Sequence, residues 1–217
     1  YYTARFDAAG GIVSLVDCSG REWVASGGVL NALLIGEDLP SCYDNWEIER
    51  DQRLKMERET RLVRREVVAD GPVQLRLRLE WELGAGSRVR QDVVFHGHSP
   101  LVEFDTEVDW HEQHRLLKAT FDLNVQTETA RHEIQYGHVE RSTHQNLPQD
   151  RARFEVCCHK WSDLSDNGSG VALLNDCKYG ISVEGSRLGL SLLKSGTHPD
   201  PRGDAGTHSF RYALLPH

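Results

Sequence analysis

The sequence predicts an all-β protein, folded as one large sandwich of two antiparallel sheets. Three observations carry this. Apolar residues recur at every second position over long stretches, glycine-centred turn signals separate those stretches, and no segment holds an apolar stripe of helical period with caps over three turns. Successive side chains on a strand point to opposite faces, so an alternating run gives a strand with one face on a core and the other in water.

The clearest run is Gln74 to Leu83. Leu75, Leu77, Leu79, Trp81 and Leu83 share one face, and Gln74, Arg76, Arg78, Glu80 and Glu82 the other. Val102, Phe104, Thr106, Val108 and Trp110 repeat the pattern, backed by Glu103, Asp105, Glu107 and Asp109. Shorter rows follow at Phe121, Leu123 and Val125, at Phe154, Val156 and Cys158, at Leu188, Leu190 and Leu192, and at Phe210, Tyr212 and Leu214. Between the runs lie Gly10-Gly11, Asp70-Gly71-Pro72, Gly84-Ala85-Gly86, Asn167-Gly168 and Glu184-Gly185, residues that supply the positive φ of tight hairpin turns. Met56 to Arg65 comes nearest to a helix, but its charges spread around the whole wheel, so a strand or loop is expected there. About a dozen strands result, which implies two packed sheets. One domain over residues 1–217 accommodates them, with a weak sub-boundary near 52–59 where charge is dense.

Charge narrows the partners. The net charge is −8 and no run of Lys and Arg occurs, which excludes a nucleic-acid surface. No stretch of about eighteen apolar residues is present, which excludes a membrane-spanning helix. The five cysteines, Cys18, Cys42, Cys157, Cys158 and Cys177, are odd in number and contain no C-x-x-C pair. They read as reduced, buried or half-buried thiols of a cytoplasmic protein rather than as a zinc knuckle or a disulfide framework.

Most candidate chemistry has a simpler structural reading. His96-Gly97-His98 puts two imidazoles on one side of an extended chain, and His111-Glu112-Gln113-His114 lacks the spacing of the helical H-E-x-x-H motif. A zinc site needs three or four converging ligands, and the sequence shows no such set. The acidic row Glu103 to Asp109 reads as a solvated sheet face paired with Arg76 and Arg78 rather than as acid–base machinery. Asn167-Gly168-Ser169 fits a glycosylation sequon and, better, a hairpin turn. Two segments remain. Tyr43-Asp44-Asn45-Trp46-Glu47 interleaves aromatic rings with carboxylates and an amide in a loop, a composition suited to stacking on a sugar and fixing its hydroxyls; the rival reading is a Trp that anchors the loop to the core. Asn175-Asp176-Cys177-Lys178-Tyr179-Gly180 gathers polar groups at the end of an apolar run, where loops on a rigid sheet carry function; the rival reading is an ordinary capped turn.

Several stretches together carry a family resemblance. These are Gln135-Tyr-Gly-His-Val-Glu-Arg-Ser-Thr-His144, His159-Lys-Trp-Ser-Asp-Leu-Ser165, Val171-Ala-Leu-Leu-Asn-Asp-Cys-Lys-Tyr-Gly180, Leu188-Gly-Leu-Ser-Leu-Leu-Lys-Ser195 and His208-Ser-Phe-Arg-Tyr-Ala-Leu-Leu-Pro-His217. They resemble the C-terminal β portion of α-mannosidases of glycoside hydrolase family 38, cytosolic and bacterial branch. The likeness is specific from about Trp110 onward and looser before Gln52.

The resemblance implies a supersandwich of galactose-mutarotase-like type, part of a retaining, zinc-dependent enzyme that hydrolyses α-mannosides by the two-step route. It further implies that the nucleophile and the zinc ligands lie in an N-terminal catalytic domain outside these residues. The chain is then an internal piece, without catalytic residues or cofactor of its own, whose partners are that domain and mannose-containing glycans. Asp44, Asn45, Trp46 and Glu47 are similar to an Asp-Ala-Trp-Asp segment of that branch, which makes Asp44 and Trp46 expected rim residues. Asp176 stands where other branches carry Asp-Arg, and Lys178 supplies the nearest positive charge, although Lys does not reproduce the Arg fork. His138 and His144 complete the candidate substrate-binding set. Two other readings stay open: a free-standing carbohydrate-binding module, and an aldose-epimerase-like enzyme using a His and a Glu at the sugar's C1, for which no such pair stands out.

Overall fold

The computed structural model describes residues 1–217, and the alternating runs become seventeen strands with two helical turns. The first part of the chain forms β1 (Tyr2–Phe6), β2 (Ile12–Asp17), β3 (Leu30–Glu37), α1 (Gln52–Lys55), β4 (Met56–Arg58) and β5 (Leu62–Asp70). Next come β6 (Gln74–Leu83), β7 (Ser87–His96), β8 (Val102–Trp110), β9 (Arg115–Asp122), β10 (Thr129–Ile134) and β11 (Gly137–Ser142). The last part holds α2 (Pro148–Ala152), β12 (Val156–Cys157), β13 (Trp161–Asp166), β14 (Ser169–Asn175), β15 (Gly180–Glu184), β16 (Arg187–Lys194) and β17 (Gly206–Pro216).

One sheet runs β1-β2-β3-β9-β16-β15-β12, with β4 paired to β3 off this path; the other runs β11-β10-β13-β14-β17-β8-β7-β6-β5. Every pairing is antiparallel. The strands of the β10–β11 hairpin, TARHEI and GHVERS, carry too little apolar alternation to register in the sequence, and they add to the expected dozen.

The inner faces meet in one core. Phe104, Phe121 and Tyr212 bring their rings together at its centre, with centroid separations of 5.1 to 6.1 Å. The row Val102 to Trp110 is buried throughout, whereas Glu107 and Asp109 on the other face lie in water. That outer face carries ion pairs, Arg76–Asp105 at 3.5 Å and Arg90–Glu107 at 2.6 Å among them, so the acidic row is a solvated sheet face. A buried polar network ties the sheets together. Asn31 Nδ2 donates to Gln91 Oε1 at 2.6 Å, Gln91 Nε2 donates to Tyr212 Oη at 2.8 Å, and Tyr212 donates back to Asn31 Oδ1 at 2.7 Å. Asn31 reaches the core because a bulge between Leu30 and Ala32 holds it at φ 58°.

Three expectations need correcting. Phe154, Val156 and Cys158 do not form one strand row: Phe154 lies in a turn, only Val156–Cys157 pair as β12, and Cys158 enters the core. In β16 a bulge between Ser191 and Leu193 breaks the Leu188, Leu190, Leu192 alternation, and Leu193 takes over the pairing with Leu117. Of the five thiols only Cys158 is buried, because the other four fall at turns and strand ends in water. The Asn167-Gly168 turn is as expected, with φ of 42° and 95° closing the β13–β14 hairpin.

Register fixes two ends of the sandwich. One end collects the segments 38–51, 111–114, 135–136, 176–179 and 195–205; the other collects 97–101, 123–128, 143–146, 167–168 and 185–186.

Candidate functional site

The first of these ends holds the longest connection, residues 38–51, and carboxylates knit its loops together. Asp38 follows β3, donates its backbone N–H to His114 O at 2.7 Å and pairs through its carboxylate with Lys194. His114 N in turn donates to Ser195 O at 2.6 Å. Six residues after Asp38, Asp44 Oδ2 accepts from Thr197 N at 2.6 Å, His198 N at 3.1 Å and Thr197 Oγ1 at 3.3 Å, while Oδ1 lies 3.7 Å from His114 Nδ1. The Thr197 N–H bond, helped by His198 N–H and the His114 charge, outweighs partial burial and holds the Asp44 carboxyl below its ordinary range. Gly196 permits the contact: a Cβ there would stand 2.1 Å from Asn45 Oδ1.

The loop thus latched presents its rings outward. Trp46 is 69% exposed and Tyr43 67%, so Trp46 does not anchor the loop to the core. Tyr43 sits at φ 53°, and its carbonyl accepts from Trp46 N at 2.7 Å and Glu47 N at 3.0 Å, closing a turn that holds both rings in water.

Asp176 and Lys178 stand at the same end. Asp176 Oδ2 accepts from Arg211 N at 3.0 Å, and its backbone N–H donates to Arg211 O at 3.1 Å, so this carboxylate extends the β14–β17 ladder past its last pair. Lys178 Nζ lies 4.2 Å from the centre of the Phe210 ring. Burial pushes its pKa down, against the charges of Cys177, Asp204 and Asp176. Asp204 also accepts from Lys194 N at 3.1 Å, so the 195–205 segment links the Asp44 latch to the Lys178 ammonium.

The structure therefore brings Asp44, Trp46, Asp176 and Lys178 to one rim. His138 is at the same end but on the edge strand β11, its ring 6.1 Å from that of Trp161. His144 lies at the opposite end, beside Asp150 at 3.6 Å, where the neighbouring Thr143 bonds Glu128 and Gly185. The candidate set left out His114, Thr197 and Asp204, which hold the rim together, and the exposed Tyr136 and Tyr179, although Tyr179 lies in the 175–180 segment singled out and His114 in the 111–114 stretch weighed as a metal motif. Tyr136 at φ 65° left no signal, since the Gln135-Tyr136 turn lacks the expected Gly or Asn.

The histidines pair with carboxylates one at a time, His96 with Glu103 and His111 with Asp109, and nowhere do three or more His, Cys, Asp or Glu converge as metal ligands. The residues present do not fit a zinc ion. No helix is long and apolar enough to cross a membrane.

Residues 1–202 match the family model for the glycosyl hydrolases family 38 C-terminal domain. The chain is 44% identical over 217 residues to human α-mannosidase 2C1, covering 98% of this chain and 21% of that protein. It is 41% identical over 217 residues to α-mannosidase G of Dictyostelium discoideum, covering 96% of this chain and 20% of that one. It therefore spans about a fifth of the length of the curated relatives it matches. An α-mannosidase structure from Enterococcus faecalis superposes over 100% of this chain and 28% of its own with a TM-score of 0.81 at 13% identity, a likeness of fold. The chain belongs to the glycoside hydrolase family 38 C-terminal domain of α-mannosidases.

Proposed function

We propose that this sandwich is the non-catalytic β domain of a retaining, zinc-dependent α-mannosidase of the cytoplasm. It packs on the catalytic domain through the Asp44–Lys178 rim and lends loops from that rim to the site where mannose-containing glycans bind. One observation carries the reading: of the five exposed aromatic rings, four, those of Tyr43, Trp46, Tyr136 and Tyr179, stand on this single end. A folded domain leaves that much aromatic surface in water where it meets a partner or a sugar. The relatives, about five times longer, have room for such a catalytic domain.

On this reading the chain's own groups orient and enclose rather than react. Asp44 is committed to backbone donors, and its task is to hold Trp46 in place; the Trp46 ring then offers a face to the C–H surface of a sugar. Zinc and the nucleophile belong to the catalytic domain. In the full-length enzyme, Trp46→Ala is expected to raise KM for an aryl α-mannoside by about tenfold, the loss of one stacking contact, with the melting temperature unchanged. Normal kinetics would remove Trp46 from the site. The isolated sandwich is expected to give no turnover of the same substrate with zinc added, and turnover near that of the intact enzyme would overturn the reading.

A further inference from the structure

A pocket lies on the outer face of the first sheet, away from the rim. Leu117, Ala119 and Phe121 of β9 point into the core, so Lys118 and Thr120 point outward, yet Lys118 is only 6% exposed. Cover comes from α1 and from the segment around Phe154 and Glu155, which enclose a cavity of about 120 Å³ over β3, β9, β15 and β16. A single water needs only about 10 to 15 Å³ of such space, so the cavity has room for a molecule of monosaccharide size.

The polar groups in it are built and incompletely matched. Lys118 Nζ pairs with Glu155 Oε1 and donates to Ser182 Oγ at 2.8 Å, which uses two of its three protons. Glu155 Oε2 and Gln52 Oε1 are buried and accept nothing from the protein, and Gln52 is 5% exposed. The lining charges are already paired: Lys118 with Glu155, Arg53 with Glu184 at 3.0 Å, and Arg187 with Asp122. An ionic ligand would leave one of these charges opposed or bare. What the site lacks is two donors and one acceptor beside an apolar wall, formed by Phe154 and Met56.

We propose that this pocket binds a neutral polyhydroxylated molecule of monosaccharide size. Its hydroxyls accept the third Lys118 proton and, as the Gln52 and Glu155 side chains turn toward it, donate to their buried, unpartnered oxygens, while its C–H face lies on Phe154. The proposal is independent of the rim's function.

Hydrogen–deuterium exchange of the full-length protein, titrated with D-mannose and with myo-inositol, tests it. At least one of the two is expected to slow exchange in the peptides carrying Gln52–Met56 and Phe154–Glu155. Gln52→Leu is expected to raise the half-saturating concentration about tenfold, because one acceptor is lost. Gly189→Ala, which sets a Cβ 2.6 Å from Ser182 Oγ and 3.3 Å from Lys118 Cε, fills the pocket from its floor and is expected to do the same. Should Gln52→Leu unfold, Gly189→Ala decides alone. Three results overturn the proposal: no slowing with either polyol, slowing that survives both substitutions, or slowing confined to the rim segment 195–205. A Trp46→Ala protein separates the two sites, since it is expected to keep the pocket's protection while losing any at the rim.

Discussion

Asp17 and Asp44 do similar work at opposite ends of the sandwich, and their partners differ in kind. Asp17 Oδ1 accepts from Ser19 N, Ser19 Oγ and Arg21 N at 2.8, 2.6 and 3.1 Å, and Oδ2 accepts from Trp23 Nε1 at 2.9 Å, so it closes a turn within seven residues of sequence. Asp44 accepts from Thr197 and His198, more than 150 residues away. One end is finished largely by short turns, with Gly168 and Gly185 at positive φ, although Gly185 N also donates to Thr143 O at 2.7 Å. At the other, long loops are tied to one another, and Tyr43, His114 and Tyr136 are held in the left-handed region that bulky side chains avoid. A sandwich needs only the first kind of end to fold; the second reads as backbone spent on a task outside folding.

The largest expected effect breaks or keeps that contrast. Asp44→Ala frees two backbone N–H groups and unties the 38–51 loop from 195–205. In the full-length enzyme it is expected to lower kcat/KM by about 100-fold, with a melting temperature near that of the parent. Asp17→Ala is expected to do the reverse, lowering stability by about 1 to 2 kcal/mol and leaving kcat/KM unaltered. Both effects are read from steady-state kinetics and urea melts of the same two proteins. If both substitutions damage stability alone, the ends are equivalent and the rim has no special role.

Acid separates the body from the rim next. His132 on β10 is buried against Ser162, whose Oγ lies 2.9 Å from Nδ1; burial, and then the Arg141 charge, push its pKa down from 6.5 to about 4. The unfolded chain therefore takes up a proton that the folded chain refuses. Stability is expected to fall as pH drops from about 6.5 to about 4 and to level off below, by about 3 kcal/mol in all. Asp44, with its pKa lowered, keeps its charge through that window, and its latch is lost only as pH falls further through the lowered value. Urea midpoints between pH 7 and pH 4.5 for the parent and for His132→Leu check this, the substituted protein losing the steep acid limb. Equal slopes for both would assign the acid loss to other groups.

The sandwich was legible because alternation is a property of the chain itself: Gln74–Leu83 and Val102–Trp110 announce their faces without reference to any neighbour. The rim was legible only in its exposed composition. Asp44, Trp46, Asp176 and Lys178 stood out as carboxylate, ring and ammonium crowded at strand ends, and the fold puts them on one side. His144 was a candidate only through the family resemblance, and β11 carries it to the far end, since the extended residues Val139 to Ser142 lie between it and His138. Thr197 and Gly196, which tie the rim, gave no signal because their meaning lies in contacts across more than 150 residues, and Asp204 gave none because its bond to Lys194 N closes an irregular loop ten residues long. Asn31 and Gln91 were silent for the same reason: polar residues on a core face look like errors until the partner sheet supplies their hydrogen bonds.

The smallest effect is the sharpest on cause. Tyr136 is fully exposed at φ 65°, at the tip of the β10–β11 hairpin, a position that favours Asn or Gly and gives a Tyr no burial in return. Within this domain the ring costs conformational energy without a compensating contact. Tyr136→Asn is therefore expected to raise the stability of the isolated sandwich by about 1 kcal/mol, measured by urea unfolding. In the full-length enzyme, where the ring would lie against the catalytic domain or a glycan, the same substitution is expected to lose that gain and to raise KM. A stabilisation equal in both contexts would mean that nothing meets Tyr136, and the rim would then have to be redrawn around Trp46 and Tyr43 alone.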